Sequence, residues 1–145
     1  MALLTATLTD PDFGLTIVDH ADNRMRIDIP ADQGGNGKGM RPMQTMLAAL
    51  CGCSAVDIIS ILKKQRQILT GLVIKVDGER EKDITPAVWK MVDLIFELTG
   101  DIEDRKAHNA VSLSINKYCS VAETLRRAGA ILTFKIFVNN EEIKK

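Results

Sequence analysis

Residues 43–62, MQTMLAALCGCSAVDIISIL, carry one charged side chain, Asp57. A run this apolar either crosses a bilayer or lies at the centre of a folded core. Its length is just sufficient to span. Gln44, Thr45, Ser54, Asp57 and Ser60 interrupt it, however, and a carboxylate near the middle of a span costs roughly 3 kcal/mol on insertion. The run is therefore read as the buried central helix of a soluble domain with no membrane partner. Pro42 suits the first helical position, and the helix is expected to reach about Gln67. A helix apolar nearly all round is not covered by one small sheet. Burial against a second copy is the expected solution.

Strands surround this helix. Residues 3–9 alternate, with Leu4, Ala6 and Leu8 on one side and Thr5, Thr7 and Thr9 on the other. DPDFG makes a turn at Pro11 and Gly14, LTIVDH resumes as a second strand, and ADN turns again. Met25, Ile27 and Ile29 then alternate with Arg24, Arg26 and Asp28, which completes a three-stranded antiparallel meander. Residues 31–41, ADQGGNGKGMR, are glycine-rich. They fail the phosphate-loop pattern at Asp32 and Gly39 and the dinucleotide pattern at Met40, so a flexible loop is expected. Beyond the central helix come strands over 69–80 and 87–100 and an amphipathic helix over 101–118. A short helix over 120–129 follows, with a Ser120–Glu123 capping box and Gly129 at its end, and a strand over 130–139 closes the chain. The order βββ–α–ββ–α–α–β is an α+β pattern. It shows no repeat or linker, so a single domain is expected over 1–145.

Composition narrows the function. With 46% hydrophobic and 26% charged residues the chain is neither disordered nor collagen-like. Nineteen basic and nineteen acidic side chains cancel, so nothing here attracts nucleic acid in general. The first residues lack the basic and apolar regions of a signal peptide. Three cysteines are an odd number for a secreted disulfide framework. A cytoplasmic, reducing location is expected, where neighbouring thiols serve redox or metal chemistry more often than stapling.

On a helix Cys51 and Cys53 point about 200° apart and cannot share a metal. His20 and His108 are distant in sequence, so no metal site is expected. Each cysteine can also be read as core packing. Two features argue for chemistry. Cys119 precedes the capping box, where a helix dipole lowers thiol pKa values. Asp57 lies one turn after Cys53 on the same face. If buried, Asp57 needs a partner, and a backbone group or basic side chain held for structure alone would serve. Left uncompensated, it disfavours a thiolate.

RPMQTMLAALCGCSAVDIISILKKQRQ, followed by NKYCSVAETL, resembles the OsmC/Ohr-like family, in its OsmC-like branch, over nearly the whole chain. The resemblance implies a swapped homodimer with long central helices wrapped by antiparallel sheets. It also implies thiol peroxidase chemistry without metal, flavin or haem. Cys53 matches the peroxidatic cysteine, which becomes a sulfenic acid, and Cys119, 66 positions later, the resolving cysteine that closes a disulfide. The implied partners are an organic hydroperoxide substrate and a dithiol reductant, lipoyl-type in Ohr members. Cys51 is read as packing. The chain departs from the family where a Glu normally pairs with an Arg that polarises the peroxide: Met43 and Gln44 occupy the candidate positions. Arg24, Arg26 and Arg41 are the candidates for that Arg, Arg41 being nearest in sequence to the helix start. The alternative to an enzyme is a non-catalytic OsmC-like protein that senses redox state or binds a small ligand. A dimer whose cysteines only pack is a third reading.

Overall fold

In the computed structural model, which describes residues 3–144, the chain divides into two compact units, residues 1–46 and 47–145. Helix α1 (Pro42–Lys64) runs unbroken through the boundary.

The first unit is the expected meander. Strands β1 (Leu4–Leu8), β2 (Leu15–Asp19) and β3 (Arg24–Ile27) pair antiparallel in chain order. Asp10 accepts hydrogen bonds from the N–H groups of Asp12 and Gly14 and so closes the first turn. The alternation set Asp28 on the side of the third strand that carries Arg24 and Arg26. Instead β3 ends at Ile27, and Asp28 turns inward and is buried. Its carboxylate accepts from the N–H groups of Ile29 (2.8 Å), Lys38 (3.1 Å) and Asn36 (3.4 Å). The glycine-rich segment is therefore not the flexible loop expected; it folds over a carboxylate. Gly35 permits this, since a Cβ there would strike the Ile29 carbonyl and the Asp28 side chain.

The second unit holds a four-stranded sheet, β4 (Ile68–Arg80), β5 (Trp89–Asp101), β6 (Ile131–Val138) and β7 (Glu141–Ile143). The antiparallel sheet expected here is in fact mixed, because β5 and β6 run parallel. Helices α2 (Asp104–Leu113) and α3 (Ser120–Arg127) connect them, and such a crossover is what returns a chain in the same direction. Strand β7 was not foreseen. It follows a two-residue turn in which Asn139 (φ 48°) and Asn140 (φ 69°) both adopt the left-handed conformation that tight hairpins need.

The core lies in this unit. Val92, Leu94, Phe96 and Leu98 form the buried face of β5. Leu72, Ile74 and Val76 form the inner face of β4. From the helices come Ala107, Ala110, Val111, Ile115 and Leu125. Helix α1 contributes one stripe: Leu47, Leu50, Ser54, Ile58 and Leu62. The opposite arc, Ala49, Gly52, Val56 and Ile59, is exposed, and only 28% of the helix's most apolar window is buried. The central helix is thus half-covered in the single chain rather than enclosed. By length and composition it would suffice to cross a membrane.

Helix α1 stops at Lys64, short of Gln67. Arg66 takes a left-handed conformation (φ 56°), and the N–H groups of Arg66 and Gln67 turn back to the carbonyls of Lys63 and Leu62. This paired arrangement usually carries glycine at the left-handed position.

Candidate functional site

The second unit assembles the thiols. The expected long helix over 101–118 is regular only to Leu113. Residues Ser114–Tyr118 form a wider turn, in which the N–H of Cys119 reaches back five residues to the Ser114 carbonyl (2.8 Å). Arg126 donates from Nη2 to the Ile115 carbonyl (2.7 Å) and to Asn116 Oδ1 (3.2 Å), taking up groups that a tighter turn would have paired internally. Wide turns of this kind are frequent at functional sites.

The wide turn delivers Cys119 to the N-cap of α3, so Cys119 rather than Ser120 caps the helix. Its sulfur accepts from the N–H of Ala122 (3.4 Å). Cys119 is 3% exposed, and Cys53 is near enough to act on its thiol. Its position at the helix start led us to expect a lowered pKa, but the thiol is pushed up to about 11. Burial is the main cause, the neighbouring Cys53 is the second, and the Ala122 N–H offsets only part of them. Burial disfavours the charged form more than the dipole of a two-turn helix favours it. Cys119 thus stays protonated at neutral pH, beside Cys53. Cys51 stays apart from this pair, half-buried, and burial raises its pKa.

Asp57 is half-buried on α1, and its Oδ2 accepts from the Ser114 hydroxyl at 3.0 Å. Ser114, fully buried, also reaches the Ser54 carbonyl (3.3 Å). The carboxylate thus ties α1 to the wide turn, which is the structural use weighed for it. Ser114 and Arg126 were missed from sequence, because nothing in the pattern marks a residue inserted into a helical turn. Outside the thiol pair, a shallow groove of about 310 Å³ is lined by Lys117, Tyr118, Cys119, Glu123, Thr124 and Arg127. Among the described residues no three His, Cys, Asp or Glu side chains are grouped so as to hold a metal.

The remaining candidates belong to the first unit. Arg24 is exposed and pairs with Asp22. Arg26 is held by Asp10, lies 3.8 Å from Asp28, and keeps its Nε buried without a partner among the described residues. Gln44 serves the helix start: its Oε1 accepts the backbone N–H of Arg41 at 3.0 Å, one arm of a capping box. The Arg41 side chain has no ion-pair partner among the described residues.

The model of the OsmC-like protein family matches residues 35–135. The chain belongs to that family. Protein YhfA of Escherichia coli (strain K12) is 37% identical to this OsmC-like protein over 116 residues, 79% of this chain and 84% of YhfA. The crystal structure of a hypothetical protein from Aquifex aeolicus VF5 superposes with a TM-score of 0.79 at 25% identity, covering 94% of each chain. The organic hydroperoxide resistance protein OsmC of Legionella pneumophila shares the fold at 16% identity, with a TM-score of 0.65 over 95% of this chain and 97% of that one.

Proposed function

We propose that this OsmC-like protein reduces organic hydroperoxides through Cys53 and Cys119. The observation that carries the reading is that two thiols 66 positions apart in sequence come close enough for Cys53 to raise the Cys119 pKa. The Cys53 thiolate attacks the terminal peroxide oxygen and the O–O bond breaks. The alkoxide takes up a proton and leaves as an alcohol, and Cys53 becomes a sulfenic acid. The Cys119 sulfur then attacks the Cys53 sulfur. Its proton and the sulfenic hydroxyl leave as water, and a Cys53–Cys119 disulfide remains. A dithiol reductant, lipoyl-type by family resemblance, returns two electrons and two protons by exchange. A high Cys119 pKa suits this order. The thiol stays protonated in the resting state and gives up its proton only when a leaving hydroxyl can accept it. No metal, flavin or haem enters the scheme.

The same reading takes the protein as a cytoplasmic, swapped homodimer in which the exposed arcs of two α1 helices, Ala49, Gly52, Val56 and Ile59, face each other. Small side chains at Ala49 and Gly52 suit such close approach, and a Cβ on Gly52 would meet nothing within 4 Å in the single chain.

A second reading, a non-catalytic redox-sensing or ligand-binding protein, is favoured by what acts on Cys119. Burial, Cys53 and two backbone N–H groups do so, and no cation is among them. The absence of a carboxylate at both candidate positions for the family's Glu, Met43 and Gln44, points the same way.

Treatment with one equivalent of cumene hydroperoxide should give a Cys53–Cys119 peptide in a non-reducing digest. Cys119→Ser should leave a trappable sulfenic acid on Cys53. Sustained peroxide consumption with dihydrolipoamide marks the enzyme; a bridge without turnover marks the sensor; a Cys51-linked product contradicts the pairing.

A further inference from the structure

Ser114 joins the two segments that carry the thiols. Its backbone carbonyl accepts the N–H of Cys119 at 2.8 Å. Its hydroxyl donates to Asp57 Oδ2 at 3.0 Å and reaches the Ser54 carbonyl at 3.3 Å. Ser54 follows Cys53 directly, and Asp57 stands one turn beyond Cys53 on the same face of α1. One buried side chain therefore grips α1 on the turn that carries Cys53, while the carbonyl of the same residue holds Cys119. The rest of the wide turn is held separately, by Arg126 at the Ile115 carbonyl and at Asn116 Oδ1.

Stability alone does not account for these two residues. Asp57 is a carboxylate in the most apolar run of the chain, and Ser114 is fully buried. Alanine would suit the helical segment at 114 better than serine. Replacing both partners of a buried hydrogen bond by apolar groups of similar shape can be nearly neutral or stabilising. What an apolar pair does not supply is direction. A hydroxyl that donates to a carboxylate fixes both the separation and the register of α1 and the turn. Register matters between two sulfurs, because a disulfide has a specific geometry and a misplacement of ~1 Å costs a reacting pair about 100-fold.

We propose that the Asp57–Ser114 hydrogen bond is a positioning device for the thiol pair. It sets the Cys119 sulfur against Cys53 and so decides whether an oxidised Cys53 closes a bridge or goes on to the sulfinic acid. The role rests on the pairing of Cys53 with Cys119 proposed above. Neither Asp57 nor Ser114 gives or takes a proton in it. In the closing step the Cys119 sulfur attacks the Cys53 sulfenic sulfur, the S–O bond breaks, and the hydroxyl leaves with the Cys119 proton as water. The competing step consumes a second hydroperoxide, which gives one oxygen to the sulfenic sulfur and departs as its alcohol. Holding Cys119 in register favours the first.

Two measurements on the full chain in a Cys51→Ala background test this. The first uses no peroxide: the protein is equilibrated with mixtures of oxidised and reduced glutathione, and the bridge is counted by mass spectrometry after acid quenching. One oxidised glutathione takes two electrons and two protons from the thiol pair and becomes two reduced molecules, so the equilibrium reads the effective concentration of Cys119 at Cys53. Ser114→Ala and Asp57→Ala should each lower it at least about tenfold. Asp57→Asn keeps an acceptor, and a neutral bond is about half as strong as a charge-assisted one, so its loss should be smaller. The second measurement applies excess cumene hydroperoxide, and the ratio of sulfinic Cys53 to bridge should rise in the same order. A merely structural bond would lower the melting temperature of the variants and leave both ratios alone. That result would overturn the proposal, and so would an unmodified protein that forms no bridge in glutathione. If Ser114→Ala does not fold, Asp57→Ala, at a half-buried position, decides. Bridging that follows the expected order in glutathione, with no oxidation of Cys53 by the hydroperoxide, would keep the positioning role and sink the peroxide reading alone.

Discussion

The Cys119 thiol offers a direct check on how burial and the Cys53 contact act together. With its pKa moved from 9.0 to about 11, the thiolate fraction near neutral pH falls about 100-fold relative to an unperturbed cysteine. Reagent access would confuse a simple alkylation rate for a side chain 3% exposed. The Raman S–H stretch reads protonation without a reagent and assigns to Cys119 in a Cys51→Ala background by comparison with the same protein carrying Cys53→Ala. The Cys119 band should persist well above pH 9 and fade near 11. Cys53→Ala removes the second cause but not the first, so the midpoint should fall yet remain raised. Stability follows the same linkage. The folded thiol holds its proton more tightly than the unfolded one, so its contribution is complete below pH 9. It is lost between 9 and about 11, to a total of about 3 kcal/mol. A Cys119 midpoint at or below 9, or one indifferent to Cys53→Ala, would refute the reasoning.

Gln44→Glu turns the amide arm of the α1 cap into a charged one; a gain of about 0.5–1 kcal/mol is expected, seen as a higher melting temperature at pH 7 that disappears as pH falls below the glutamate's pKa. Asp28→Ala removes the acceptor over which residues 29–38 fold, so hydrogen exchange at the Asn36 and Lys38 amides should rise sharply; unchanged protection would show that the loop holds itself. In the native protein burial pushes the Asp28 pKa up but the N–H groups of Lys38, Ile29 and Asn36 outweigh it, holding it below 3.8. That contribution is present above pH 3.8 and lost as pH falls through the lower folded value. Val56 is 65% exposed in the single chain. Val56→Glu should shift sedimentation from dimer to monomer if the exposed arc of α1 is the dimer face.

The pattern of apolar residues told most about the second unit. The period of two marked β4 and β5 as strands. The long apolar run gave α1, and the two cysteine motifs gave the thiols that the fold brings together. What escaped has a common physical cause: a local pattern does not say where a long-range contact overrides it. Asp28 alternates with apolar neighbours along the third strand, yet the N–H groups of Ile29, Asn36 and Lys38 hold it buried. Cys119 stands where a dipole would acidify it, yet burial by residues far along the chain reverses the sign. The wide turn at Ser114–Tyr118 reads as ordinary helix, because its extra residue is apparent only from which carbonyl each N–H reaches. The parallel pairing of β5 with β6 depends on how α2 and α3 return the chain.

The separation of Cys53 from Cys119 along the chain has a mechanical consequence. A covalent bond at that point would close a loop of 67 residues, and in the chain-entropy treatment a loop of that length removes about 4 kcal/mol of freedom from the unfolded ensemble. Oxidation would therefore make the molecule harder to unravel at the moment its chemistry is spent, and reduction would loosen it again. Resistance to heat or protease would rise and fall with the electron balance of its surroundings.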